Sequence, residues 1–344
     1  MPVRSASFVA SFLLVLPAAL GWGAHGHRVV TQLAMDRFDA DAPEWLRGEE
    51  LHERLAFQSN EPDRWKGTPT LALKHENNPD HFIDVEHLWL MDLTLESLPR
   101  LRRDYIAHTA ISRHEDPAAS PGTWNPDSDL AKAYQYPGFL PHAMLEHYEK
   151  LRSSFHTVRA LEALAASGEE VGARLEQARE NAIYHMGVLS HFVGDAAQPL
   201  HTTEHFNGWV GDNPSGYTTD SRFHEYVDSG VIDRHGVTRA SSAGASSVEF
   251  HIDPHDPWPA ILSYLGQSFR LVEPLYALEK TGALNEEAGR AFIEERLDAA
   301  GAMLAAMYQA AWDAAVPTAA STESFLKYAD YRPVDEPEPA LGSP

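Results

Sequence analysis

Residues 171–201 read VGARLEQARENAIYHMGVLSHFVGDAAQPLH. Leu175, Ala178, Ala182, Met186, Leu189 and Val193 recur at three- and four-residue intervals, the period of one buried helix face. Pro199 predicts that the helix ends or kinks there. The same period runs through RVVTQLAMDRF (28–38) and through 129–165, where Pro137 and Pro141 interrupt it; it returns after Pro259 and again from Asn285 to Ala315. Alternation of the strand kind is confined to VEFHI (248–252), a possible short strand. The expected fold class is therefore all-α, with no repeat at a fixed period.

At 344 residues and 43% hydrophobic content, the chain is long enough for one large domain over 22–315. The first 21 residues place Arg4 ahead of an apolar run from Phe8 to Leu20 and end in Ala19-Leu20-Gly21, the pattern of a cleaved secretory signal. That run is shorter than the roughly 20 residues of a spanning helix. The reading is an exported protein, periplasmic or extracellular. Gly-, Pro- and Ser-rich stretches at 115–129, 206–220 and 239–247 read as loops, and the tail 316–344, ending in the acidic PVDEPEPALGSP, reads as largely disordered.

The chain has no cysteine, so any bound metal must be held by histidine, carboxylate and backbone or terminal groups. A formal charge of −23 excludes a protein that grips long nucleic acid through a basic surface, although bound divalent ions can supply positive charge at one cleft. The 19 histidines matter mainly where they stand at ligand spacing. His191 and Asp195 are four apart on helical text and leave one face together; His201 follows Pro199; His224 and Asp228 repeat the four-residue device in RFHEYVD. One such pair is commonly a solvated hydrogen-bond pair. Two pairs and a third histidine within apolar and aromatic text point to a cation, because an unpartnered charge would be costly there.

Upstream, Asp63 in NEPDRW reads as a ligand or a helix cap, and His81 in PDHFIDVE as a ligand or a loop residue, with Asp84 and Glu86 beside it. WGAHGH sets His27 five residues after Trp22. If the signal is removed before Trp22, its α-amino group and carbonyl can chelate a metal alongside His27, since an α-amino group with a pKa of about 7.7–8.0 is an able ligand near neutrality.

With these residues in place the sequence resembles the zinc-dependent single-strand-specific nucleases of fungi and plants, the S-one/P-one type, and more distantly the zinc phospholipases C of the same superfamily. The likeness runs from Trp22 to about Gly230, and HFVGDAAQPLH is its most specific part. It implies a multi-helix domain with a metal cleft and three zinc ions. One would be held by Asp63, His81, His191 and Asp195, a second by Trp22, His27 and the bridging Asp195, and a third by His201, His224 and Asp228. The activity implied is phosphodiester hydrolysis by a metal-activated water, on single-stranded DNA or RNA and with 3'-nucleotidase action on nucleotides. Asp84 either orients that water or steadies a ligand histidine. Phe82, Trp209 and Tyr217 either stack on unpaired bases or pack the core and the loop. The short spacings from Trp22 to His27 and from His201 to His224 favour the nuclease branch over the phospholipase, while the family's disulfides are absent and the segment 88–180 is long and unlike it. A non-catalytic metal-binding protein is the remaining alternative. No obligate protein partner is evident.

Overall fold

The computed structural model describes residues 22–38, 42–116 and 136–322. The expected signal at 1–21, the stretch 129–135 of the expected long helix and the tail from 323 onward lie outside them. Among the described residues the architecture is all-α, and β pairing is limited to two isolated bridges, Ile83 with Gly138 and Asp253 with Asp256. The expected strand at 248–252 is a correction: the segment runs without regular structure, because no neighbouring strand meets its alternating side chains.

The helices in chain order are α1 (Ala24–Phe38), α2 (Glu49–Gln58), α3 (Glu61–Gly67), α4 (Leu71–Asn77) and α5 (Val85–Trp89). There follow α6 (Arg102–Glu115), α7 (Leu140–Ala166) and α8 (Gly172–Ala197). After α8 come the short α9 (Phe223–Glu225), α10 (Val231–His235) and α11 (Arg239–Ser242), then α12 (Trp258–Phe269), α13 (Val272–Thr281) and α14 (Glu287–Ala314). Among the described residues, none is long and apolar enough to cross a membrane.

Pro141 and Pro259 lie in the first turns of α7 and α12. Proline lacks an N–H that this position would leave unbonded anyway, so Pro141 starts a helix and does not interrupt one. Helix α8 is the axis of the molecule. Its first turns are amphipathic, but every residue from Met186 to Ala197 is buried, enclosed by α1, α2, α7, α12 and α14. Close approach depends on small residues: a Cβ on Gly187 would lie 2.4 Å from the Gln58 Cβ of α2, and one on Gly301 of α14 would lie 2.7 Å from the Leu33 Cβ of α1. The buried end of α8 thus delivers His191 and Asp195 into the interior, where the segments following α4 and α8 meet it.

Candidate metal centre

Asp195 is fully buried, and its two oxygens face different neighbours. Oδ2 lies 3.0 Å from His81 Nδ1 and 3.2 Å from His191 Nε2, whereas Oδ1 lies 3.5 Å from His27 Nε2 and 3.6 Å from His201 Nδ1. Asp63 Oδ1 stands 3.9 Å from both His81 Nδ1 and His191 Nε2. Farther along, His224 Nε2 and Asp228 Oδ2 are 3.2 Å apart, and the His224 ring meets that of His201 edge-on at 4.8 Å. Three groups of potential ligand atoms result, each within 4.8 Å of one another: His27 with His191 and Asp195, Asp63 with His81 and His191, and His201 with His224 and Asp228.

The elements that aim these side chains differ. His27 sits on the first turns of α1, with its ring stacked 4.0 Å from His191. A Cβ on Gly194 would lie 2.8 Å from His27 Nδ1, so only glycine leaves room for that imidazole. Asp63 lies inside the first turn of α3, whose N-cap position is Asn60, so Asp63 is not the helix cap. His81 closes a 3₁₀ turn, Asn78–His81, and His201 lies in another, Pro199–Thr202, that follows the end of α8. The two turns brace each other: Ile83 N–H donates to the His201 carbonyl at 2.9 Å, and His201 Nδ1 donates to the His81 carbonyl at 2.5 Å. Asp228 lies in a π-helical turn, Tyr226–Gly230, directly after α9, and its Oδ1 accepts from Gln198 Nε2 at 2.7 Å. Such turns are rare and concentrate at functional sites.

Trp22 is buried, and the Gly23 N–H donates to the Asp228 carbonyl at 2.9 Å, which sets the Trp22–Gly23 peptide beside the π turn. The cleavage that would free the Trp22 amino group falls on residues outside the described ones.

Two hydrogen bonds fix tautomers. His191 Nδ1 donates to the Ser59 carbonyl at 2.8 Å, leaving Nε2 as the lone-pair atom facing Asp63, His81 and Asp195. His201 Nδ1 is likewise committed to a carbonyl, leaving its Nε2 without a partner. This arrangement of a backbone acceptor behind the imidazole is the usual support of a metal-ligating histidine. Both ring nitrogens of His27 and of His224, together with Asp63 Oδ1, Asp195 Oδ1 and Asp228 Oδ2, are also buried without a hydrogen-bond partner. Each orphaned polar atom costs about 1–3 kcal/mol, a sum hard to sustain at one spot unless cations satisfy them together. The buried His/Asp groups could therefore hold metal ions, through imidazole nitrogens and carboxylate oxygens.

Electrostatics of the metal-free groups follow from burial and from one another. Burial, reinforced by His191, lowers His27 to about 3. Burial and then Lys66 lower His81 to about 4. Burial works against ionising Asp195, yet the surrounding imidazoles, His191 and His201 foremost, hold it well below the usual range. Most of the histidines are thus already neutral, the form in which they bind a metal.

Several contributors were not anticipated from sequence. Gln198 stands inside the HFVGDAAQPLH text without ligand chemistry of its own, and an amide in an apolar run was the only signal it gave. Asn77 Nδ2 lies 3.0 Å from His81 Nε2, and Lys66 Nζ stands 4.0 Å from Asp63 Oδ1. Asp84 is buried; its Oδ2 is 3.4 Å from His87 Nδ1, while Oδ1 has no hydrogen-bond partner. The other nitrogen of His87 lies 2.9 Å from Glu204 Oε2. Glu86 accepts from the Thr203 hydroxyl and from the Glu204 N–H, so α5 is fastened to the segment just after His201.

Phe82 is half-buried along one wall. Leu140 N–H donates to its carbonyl, Asp84 N–H donates to the Pro137 carbonyl, and Gly138, at φ 107°, passes so close that a Cβ would fall 2.1 Å from the Phe82 carbonyl oxygen. The YPGF stretch of the long 88–180 segment is thus pressed against the chain that carries His81. Trp209 and Tyr217, both half-buried, pack together at 4.8 Å. Trp209 also stacks on His205 at 3.8 Å and meets Tyr276 edge-on, while the Tyr217 hydroxyl donates to Glu273.

No protein-family model matches the chain, and no curated protein matches it either.

Proposed function

We propose that the chain is an exported zinc-dependent phosphodiesterase acting on single-stranded DNA or RNA, with 3'-nucleotidase activity. The observation that carries the reading is the convergence of three buried His/Asp groups, rich in orphaned ligand atoms, around Asp195. Zinc would be held by Asp63, His81, His191 and Asp195; by His27, Asp195 and the Trp22 terminal amino and carbonyl groups; and by His201, His224 and Asp228. Bound there, it would supply Lewis acidity toward a phosphate oxygen and make water nucleophilic near neutral pH.

The chain's own groups have defined tasks in this scheme. Lys66, beside Asp63, is a cation placed to offset phosphate charge. The unpartnered Oδ1 of Asp84 can accept a proton from an attacking water, and burial raises that carboxyl toward the range where a proton is taken and returned. His87, on its other oxygen, fixes its orientation. Phe82 offers a ring for an unpaired base, whereas Trp209 and Tyr217, largely occupied with Tyr276 and His205, shape the loop that closes that side.

The test is metal analysis of the exported protein combined with hydrolysis of single-stranded DNA, single-stranded RNA and phosphatidylcholine. Three zinc ions per chain with cleavage of the nucleic acids supports the reading. Zinc with turnover of phosphatidylcholine alone transfers the site to a phospholipase C, and zinc without turnover of any of them leaves a metal-binding protein. A correctly processed protein that binds no metal ends the proposal.

A further inference from the structure

A concavity of about 560 Å³ opens beside the metal centre, bounded by α3, α4, α7 and α8. Its walls include Trp65, Asn77, His147, Lys150, Tyr184 and His185. Asn77 joins the two places, because its amide also contacts the Nε2 of His81. The volume lies in the range that encloses small planar molecules, roughly 300–1,000 Å³.

The charges of this cavity narrow its occupant. Arg102 lies at one side, but its guanidinium is fully engaged: it makes two bonds to Asp80, at 2.5 and 3.2 Å, and two to Glu146, at 2.8 and 2.9 Å. One guanidinium against two carboxylates leaves that group with an excess negative charge, and Glu76 and Lys150 add one charge of each sign, so the lining as a whole is slightly acidic. A compact anion would find no concentrated positive field. The other polar groups are the Asn77 amide, the Tyr184 hydroxyl and two imidazoles whose Nδ1 atoms are buried, so that only their Nε2 atoms can face the cavity. Burial, with Lys150 next, lowers His147 to about 3 and lowers His185 as well, so both are neutral at pH 7 and each Nε2 donates or accepts according to its tautomer. Trp65 and Tyr184 supply aromatic faces, and Tyr184 is 40% exposed with no hydrogen bond to lock it in place among the described residues.

We propose that this cavity is a second base subsite, which receives an unpaired nucleobase of the strand whose neighbouring phosphodiester lies at the metal centre. Stacking on Trp65 and Tyr184 holds the ring, the Nε2 atoms of the neutral imidazoles and the Asn77 amide meet its polar edge, and Lys150 receives the adjoining phosphate. The inference rests on the nuclease reading of the site and specifies how a protein of charge −23 retains a polyanion away from the metal centre: chiefly through ring stacking, with Lys150 as the cation of this cavity.

The experiment uses the metal-loaded exported protein, wild type and the variants Tyr184→Ala and Lys150→Ala, both at exposed positions, with Trp65→Leu as a third. Three readings are taken: hydrolysis of bis(4-nitrophenyl) phosphate, which has no base; KM and kcat on a six-nucleotide single strand; and anisotropy of a labelled phosphorothioate strand that resists cleavage. The expected result is a KM and a dissociation constant for the strand raised about tenfold in Tyr184→Ala and Trp65→Leu, and less in Lys150→Ala. The kcat, the metal content and the turnover of the baseless diester stay at wild-type values. An abasic nucleotide at one fixed distance from the cleaved bond should weaken wild type and leave Tyr184→Ala unaffected. Unchanged strand affinity in all three variants, with the diester still hydrolysed, overturns the subsite alone. Failure of metal-loaded wild type to hydrolyse either the diester or the strand overturns the nuclease reading and the subsite with it.

Discussion

The molecule contains the same four-residue His/Asp spacing twice, and in both places the imidazole Nε2 lies 3.2 Å from a carboxylate oxygen. Their surroundings shift their proton affinities in opposite directions. His191 and Asp195 stand on the buried end of α8, where burial disfavours charge but Asp195 and Asp63 raise the imidazole, and the neighbouring imidazoles depress Asp195. Both shifts favour the ion pair. His224 and Asp228 stand on α9 and the π turn, where burial pushes the histidine well below and the carboxyl well above their ordinary values; His201 adds to the first shift and Asp195 to the second, against the Gln198 hydrogen bond. Both shifts favour the uncharged forms. Spacing in the sequence fixes that two side chains meet, whereas the groups packed around them fix what protons they carry.

Removing the charge from the first pair should have the largest effect. On the function proposed above, Asp195→Asn is expected to release more than one metal equivalent and to lower phosphodiester hydrolysis by roughly a thousandfold, read by metal analysis and steady-state kinetics. An equal loss confined to a single ion would mean that Asp195 serves only one of the groups. Next, Gln198→Leu removes the donor to Asp228 Oδ1 and should weaken metal affinity about 10–100-fold at the His201–His224–Asp228 group only, seen as one weak step in a zinc titration against a competing chelator.

A backbone change probes the π turn itself. A Cβ on Gly230 would lie 2.4 Å from Tyr226 Cδ2, so Gly230→Ala should destabilise the fold by about 1–3 kcal/mol and lower the melting temperature, with metal at the Asp195 groups retained. A wild-type melting temperature in this variant would show that the turn yields freely. The mildest perturbation is pH in the chelator-treated protein. His191, raised when folded, contributes stability that is complete below its unfolded pKa of about 6.5 and is lost as pH rises through the folded value. His224, depressed when folded, contributes in the opposite sense: stability falls as pH drops below about 6.5, because the unfolded chain takes the proton. Imidazole NMR between pH 8 and 5 should therefore show His191 charging first and His224 remaining neutral; the reverse order would erase the contrast between the pairs.

The long helices α1, α7, α8, α12 and α14 were readable because each carries an apolar stripe for several turns. The short helices α2 to α5 were not, because Glu, Arg, Lys and His dominate their text and tertiary packing, not periodicity, holds them. VEFHI alternated like a strand, but alternation says nothing about whether a partner strand exists. His191, Asp195, His201, His224 and Asp228 stood out by type and spacing, whereas Asp63 and His81, isolated in loop-like text, took their ligand reading only from the resemblance. Their supports did not: the Ser59 carbonyl behind His191 and the Glu204 carboxylate behind His87 are partners brought from 132 and 117 residues away, with nothing local to mark them.

The two hydrogen bonds between the His81 and His201 turns bear on how the protein is made. The bond from the His201 imidazole to the His81 carbonyl joins residues 120 apart, and the His191–Ser59 and His81–Asp195 contacts span 132 and 114. Closing loops of that length is entropically slow, and the helices that flank them form from near neighbours long before. The ligand set is therefore among the last things to assemble. A metal ion arriving early meets scattered histidines on a growing chain; only a nearly finished fold presents it with a chelate, so metallation should act as the final latch of folding and not as its seed.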